Sequence, residues 1–309
     1  MKIYRSIEFS KLIFLLKEEG QFVWDEYQAE REKINDEKLH HNWWMNSNFD
    51  KKRREIIASI IKESSDSFFK KSLEFNAMSG GRFNPERSFG VLYAANNPVI
   101  SALEVLYHKY IDLAPVYAAI QSKQSQFSSG LDMSLPKNLE VFIVTFEIEI
   151  ENSDKLLKIN ESDAELRNIC NKIGFQRYTI TNFNREFIFG NDYEISRHLG
   201  TYVHSQNKIG FTVPSARVKF EIQDDLSLRN LILLEAKRDA TNPKLTGKFV
   251  EYRASIDMTQ TDHYGLDVAV QAYGETVHKT MFKLQKIPPK KAPHPQIISY
   301  FAEYPNGKK

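Results

Sequence analysis

Cysteine is almost missing from this chain: Cys170 is the only one in 309 residues. A single thiol closes no internal disulfide and builds no Cys-cluster zinc site, and it suits a reducing compartment. An excess of charge of one sign is missing too. Lys and Arg total 42 against 40 for Asp and Glu, a net charge of +2. No broad field therefore points to nucleic acid as a partner. Long apolar runs are also lacking. The run from Leu12 to Leu16 gives way to Lys17, Glu18 and Glu19 rather than to a small-residue cleavage site, so a signal peptide is not expected. Nothing approaches the ~18–20 apolar residues of a membrane-spanning helix. Neither GxxxxGK[ST] nor a strand-linked GxGxxG occurs, so the two commonest glycine-loop phosphate sites are excluded. The expected location is the cytoplasm.

What remains is a chain with 41% hydrophobic and 27% charged residues, enough apolar mass for a sizeable globular core. The opening MKIYRSIEFSKLIFLLKEEG reads as an amphipathic helix, and helical spacing marks residues 9–74. Phe9, Leu12, Leu15 and Leu16 recur at helical intervals, as do Ile56, Ile57, Ile60 and Ile61. KKRR at 51–54 reads as a solvated helix face. His40, His41, Trp43 and Trp44 read as an aromatic plug rather than a ligand site. The texture changes at residue 76. Strands are predicted over 89–94, 141–150, 209–213 and 228–236. Helices are predicted from about 98 to 112, over 163–173 and over 193–201. Asn96 or Asn97 caps the first of these, with Pro98 at its first turn. Residues 122–138 read as a polar loop. From about 240 the pattern is strand-like again, and PPKKAPHPQ is an extended proline-rich tail.

Three side chains on successive elements then stand out. Ser79-Gly80-Gly81 gives the backbone freedom just before Arg82. A guanidinium there can grip a diphosphate through paired charge-assisted bonds, or it is simply a surface arginine after a turn. Tyr93 ends the apolar strand GVLY, where its ring either stacks on a planar cationic group or packs as an ordinary core tyrosine. Glu104 lies one step around the helix from the stripe formed by Ile100, Leu103, Tyr107 and Ile111. A carboxylate at a half-dry position needs a partner or a task. It either pairs with His108 one turn on or serves a site. Arginine, aromatic ring and carboxylate together suit cleavage of the nicotinamide–ribose bond of NAD+. The pyridine already carries positive charge and needs no general acid to leave. The carboxylate stabilises the ribosyl cation electrostatically and can hold a ribose hydroxyl.

These residues resemble the RES domain family. The resemblance runs through Gly80-Gly81-Arg82-Phe83-Asn84-Pro85, Leu92-Tyr93, Leu103-Glu104-Val105 with His108, and Gly210-Phe211-Thr212-Val213-Pro214-Ser215-Ala216-Arg217. Phe83 stands where the family usually has tryptophan, and PERSFG lengthens the turn after Pro85. The resemblance implies an α+β fold with an ADP-ribosyltransferase-like mixed or split sheet core. It implies an NAD+-degrading toxin of a toxin–antitoxin pair. Carried over, Arg82 binds the diphosphate and Tyr93 the nicotinamide end. Glu104 stabilises the ribosyl cation, and Ser215 bonds the nicotinamide ribose or a phosphate. Ser215 taken alone is a strand-end serine in a polar turn. Tyr4-Arg5 resembles the family's opening pair and is given no role.

The expected organisation is a helical N-terminal region over 1–75, a RES-like catalytic domain over 76–238 and a β-rich C-terminal region over 239–309 with its proline-rich tail. The expected activity is NAD+ hydrolysis or phosphorolysis without a metal. Transfer of ADP-ribose to a protein or other macromolecule, and a non-catalytic interaction scaffold, are the alternatives. Expected partners are NAD+ and a protein antitoxin or acceptor. No membrane or nucleic-acid partner is expected, and a homo-oligomer is left open.

Overall fold

A computed structural model of the chain describes residues 1–9, 11, 57, 65–106, 108–109, 138–159, 163–174, 193–215, 229–257, 266–273, 278–287 and 299–303. The aromatic stretch around Trp43, the KKRR run, most of the polar loop, the stretch after Ser215 and the proline-rich tail lie outside these residues.

The first element corrects an expectation. Residues 1–9 do not open on a helix: β1 is a strand over Lys2–Glu8. Its side chains alternate with period two. Ile3 is buried against one face, while Ser6 meets Thr145 on the other through a buried hydroxyl pair at 2.6 Å. The alternation ends at Glu8, and helical backbone is present at Phe9.

Helix α1 follows over Ser65–Ser79, then β2 over Val91–Ala95. Residues 98–106 form α2. Asn97 caps it, its Oδ1 accepting the N–H of Val99 at 2.9 Å and of Ile100 at 3.4 Å. Next come β3 over Asn138–Glu149, β4 over Leu157–Lys158, α3 over Asp163–Lys172 and α4 over Glu194–Ser205. The remaining strands are β5 over Gly210–Pro214, β6 over Arg229–Leu234, β7 over Lys244–Asp257, β8 over Leu266–Tyr273, β9 over His278–Ile287 and β10 over Ser299–Glu303.

Among the described residues these strands form one sheet in the order β10-β9-β8-β7-β3-β1-β2-β6-β5-β4. Every neighbouring pair is antiparallel except β4 and β5. The fold is therefore α+β, with a mostly antiparallel sheet. The C-terminal strands extend this sheet, because β7 pairs along β3 from Asn138↔Asp257 to Glu149↔Lys244.

Both faces of the inner sheet are buried, and β2 and β6 show how. Leu92, Ala94, Leu231 and Leu233 join Phe68, Phe69 and Leu73 of α1 in one core. Val91, Ile232 and Leu234 join Phe211, Val213, Ile169 of α3, and Leu199 and Val203 of α4 in the other. Strands covered on both sides read as near-continuous apolar runs, and LRNLILL does so. Each fully buried large side chain, such as Phe69 or Phe146, contributes roughly 1.5–3 kcal/mol. Cys170 is buried in the α3–α4 core, where desolvation pushes its thiol up to about 11. Among the described residues no helix is long and apolar enough to cross a membrane.

Candidate functional site

The second of these faces continues past its apolar part into a polar region. Tyr93 and Ala95 point to the same side of β2. Tyr93 stands opposite Ile232, and Ala95 opposite Asn230 of β6, which in turn stands opposite Val213 of β5. Ser215 follows Pro214 directly at the end of β5. A sheet with period two therefore sends Tyr93, Asn230 and the end of β5 to one face.

Glu104 reaches this face from α2. Its Oε1 accepts a bond from Asn230 Nδ2 at 2.8 Å and a longer one from Ser215 Oγ at 3.4 Å. Ser215 is fully buried. Asn230 Oδ1 is buried without a hydrogen-bond partner among the described residues. The sequence singled out Glu104 and Ser215, and the fold brings them together across 111 residues. Asn230 was missed, because one amide inside an apolar strand carries no motif.

Arg82 and Tyr93 form the neighbouring half. The Tyr93 hydroxyl accepts the backbone N–H of Phe83 at 2.8 Å and donates to Asn84 Oδ1 at 3.3 Å. Asn84 is itself fully buried, and its Nδ2 bonds the carbonyls of Asn76 at 3.0 Å and Phe89 at 3.1 Å. The long turn after Pro85 is thus pinned from both ends, and Arg82 is held beside Tyr93. Gly81 leaves room for this pairing. A Cβ would stand 2.7 Å from the Tyr93 hydroxyl and 3.1 Å from Asn84 Oδ1. Phe83, in the usual tryptophan position, packs edge-on to Phe211 at 5.2 Å. Burial raises the Tyr93 phenol well above its ordinary range, despite the opposing pull of the Phe83 N–H and of Arg82. The group therefore stays a neutral donor.

Arg5 of β1 joins the same strand from the other side. The pairing of β1 with β2 is at Tyr4↔Ala95, and beside it Arg5 Nη1 donates to the Tyr93 carbonyl at 2.8 Å. Arg5 Nε is buried without a partner among the described residues, and desolvation lowers the guanidinium to about 10. The Tyr4-Arg5 pair, given no role from sequence, thus lies next to the site. Two further residues were unforeseen. Arg82 lies over the Tyr193 ring at 4.5 Å, and Arg197 of α4 stands 5.9 Å from the same ring. Hydrogen bonds tie the Arg82 loop to Tyr93, and Glu104 to Ser215 and Asn230. The sheet register joins the two groups on one face. Among the described residues no three His, Cys, Asp or Glu side chains gather as a metal site.

A sheet covered on both faces, with arginine, tyrosine and a bonded carboxylate on one of them, defines an α+β protein with a polar, cation-bearing face. The RES domain family model matches residues 61–251, and the chain belongs to that family. The match begins within the segment before α1 and runs into β7, wider at both ends than the 76–238 read from motifs. Among solved structures, a chain of the M. tuberculosis MbcT–MbcA toxin–antitoxin complex is similar at 14% identity, over 58% of this chain and 75% of that one, with a TM-score of 0.33. No curated protein matches the chain.

Proposed function

We propose that this protein is an NAD+-consuming toxin that breaks the bond between nicotinamide and ribose and passes the ADP-ribosyl group to water or phosphate. The observation that carries the reading is the doubly bonded Glu104 on the same sheet face as Arg82 and Tyr93. A carboxylate held by Asn230 and Ser215 is preorganised, so no solvent has to reorganise as positive charge develops near it.

In the proposed reaction, Arg82 takes the diphosphate and Tyr93 lies along the nicotinamide end. The glycosidic C–N bond breaks, and its electron pair goes to the pyridine nitrogen, which becomes neutral. The ribose carbon becomes cationic, and Glu104 faces that charge. Water then adds to the carbon and loses one proton to solvent, giving ADP-ribose. Phosphate adding instead gives ADP-ribose 1-phosphate. Ser215 bonds the ribose or a phosphate when it turns from Glu104, a 3.4 Å contact that is weak enough to exchange. Binding energy from the remote diphosphate positions the ribose for this step. The biological setting proposed with it is a toxin–antitoxin pair, with a protein antitoxin as partner.

The test is incubation of the full chain with NAD+, with and without inorganic phosphate, and identification of products by mass. Free nicotinamide with ADP-ribose or its 1-phosphate over many turnovers is the expected result. ADP-ribose retained on a macromolecule would make the protein a transferase instead. No nicotinamide release under either condition, from folded protein, would leave the scaffold reading.

A further inference from the structure

The Tyr193–Arg197 pair is the feature that the catalytic reading leaves unused. Arg197 is half-buried on the first turn of α4. Its Nε donates to the carbonyl of Gly81 at 3.0 Å, immediately before Arg82. One turn further on, Gly200 lets the helix backbone press against the same loop, since a Cβ there would stand 1.7 Å from the Phe83 carbonyl oxygen. The helix and the Arg82 loop are therefore locked together at two points. Tyr193, also half-buried, receives Arg82 and Arg197 within cation–π range. It lies close enough to Tyr93 to bear on that phenol's charge.

Among the described residues no carboxylate pairs with Arg197, and no acceptor engages its terminal nitrogens. A half-dry guanidinium with its Nε already committed still has one face of its fork to offer, and that geometry fits a phosphate. Sharing a single ring with Arg82 puts it within reach of an anion that Arg82 already holds.

We propose that Arg197, steadied by Tyr193, is a second arm of the diphosphate site, so that a dinucleotide's two phosphates are taken by two arginines mounted on one tyrosine. This rests on the reading of Arg82 as a diphosphate ligand and adds a binding residue that none of the recognised motif blocks contains. The two arginines come from the loop after α1 and from α4. Their spacing is fixed by the Arg197–Gly81 bond rather than by either element alone.

The experiment measures binding of ADP-ribose, adenosine and inorganic phosphate to the full chain by calorimetry and competition, in wild type and in Arg197→Ala, with thermal melting as a fold control. ADP-ribose should bind about 10- to 100-fold more weakly to the variant, the range for losing a charged hydrogen bond, while adenosine binding stays unchanged. Unchanged ADP-ribose binding overturns the proposal. So does an equal loss for adenosine, which would make Arg197 a support for the loop. A change confined to inorganic phosphate would assign the arm to a free anion and overturn it as well. Should Arg197→Ala not fold, Arg197→Gln keeps an N–H for Gly81 and carries the same test with the same outcomes. NAD+ turnover separates the two readings. Selective ADP-ribose binding without any turnover sinks the catalytic reading and keeps the arm. Turnover with a KM indifferent to Arg197 keeps the catalytic reading and sinks the arm.

Discussion

Asn230 Nδ2 donates to Glu104 Oε1 at 2.8 Å across 126 residues of sequence. Glu104 sits on α2 and Asn230 on β6, so the bond fixes a helix carboxylate over the face of β6. Its partner oxygen, Asn230 Oδ1, is buried and unpaired among the described residues. An amide in that position orients the carboxylate while adding no charge of its own.

Removing the charge of Glu104 tests the centre of the functional reading. Glu104→Gln keeps the shape and an oxygen for Asn230. Its melting temperature should stay within a few degrees of wild type, while nicotinamide release falls by ~10²–10³-fold, the size of one preorganised transition-state contact. Wild-type turnover in this variant would make the carboxylate structural.

Adding a charge at Asn230 tests the orientation. In Asn230→Asp a second carboxylate faces Glu104, and like charge disfavours its ionised form. An activity that needs ionised Glu104 is present above its pKa and lost as pH falls through it. The lower limb of the pH–rate profile should therefore move to higher pH. Asn230→Ala, which adds no charge, should lower turnover about tenfold without that move, the scale of one lost hydrogen bond.

Tyr93→Phe deletes the acceptor of the Phe83 N–H and the donor to Asn84. Leaving such groups buried and unpaired costs about 1–3 kcal/mol. Denaturant unfolding should show this loss, and NAD+ binding should weaken as the Arg82 loop loosens. Because burial holds the phenol neutral, the wild-type rate should not titrate through the ordinary tyrosine range near 10. A step there that vanishes in Tyr93→Phe would contradict the neutral donor.

Arg82→Ala should raise the KM for NAD+ and relieve growth arrest on expression. The check is plating of induced cells beside an immunoblot for equal soluble protein. Equal arrest by both proteins would remove Arg82 from the toxic activity.

Away from the site, Glu147 gives a stability prediction. Burial alone would raise its carboxyl, but Lys2 at 3.1 Å and the Thr246 hydroxyl at 3.0 Å hold it below the ordinary value of 4.5. A depressed acid stabilises the fold above its unfolded pKa, and that contribution is lost as pH falls through the folded one. Lys2 is half-exposed, which limits the gain to about 1 kcal/mol or less. Stability measured from pH 6 down to pH 3 should fall less steeply in Glu147→Gln than in wild type. Parallel curves would show the pair to be idle.

Local signals made much of this legible. VFIVTFEIEI sits in β3 because β-branched and aromatic residues suit a pleated surface, and Asn97 with Pro98 set the start of α2 as cap chemistry requires. Arg82, Tyr93, Glu104 and Ser215 were visible in short motif blocks. What stayed hidden depends on partners far away in sequence. KIYRSIE is a strand only because β3 supplies Glu149 to Ile143 opposite it. Without that template its charges and the apolar run after Phe9 look helical. Arg5 gains its place from Tyr93, 88 residues on, and Arg197 from Gly81, 116 residues back. No spacing rule within a helix or strand encodes such distances.

The central position of β1 has a consequence for synthesis. Residues 2–8 are made before either neighbour of that strand, and the Glu104 support arrives with Asn230. Pairings this remote in sequence form slowly and late. A nascent chain that ends between β3 and β6 therefore carries both neighbours of β1 but not the Asn230 that braces the Glu104 carboxylate.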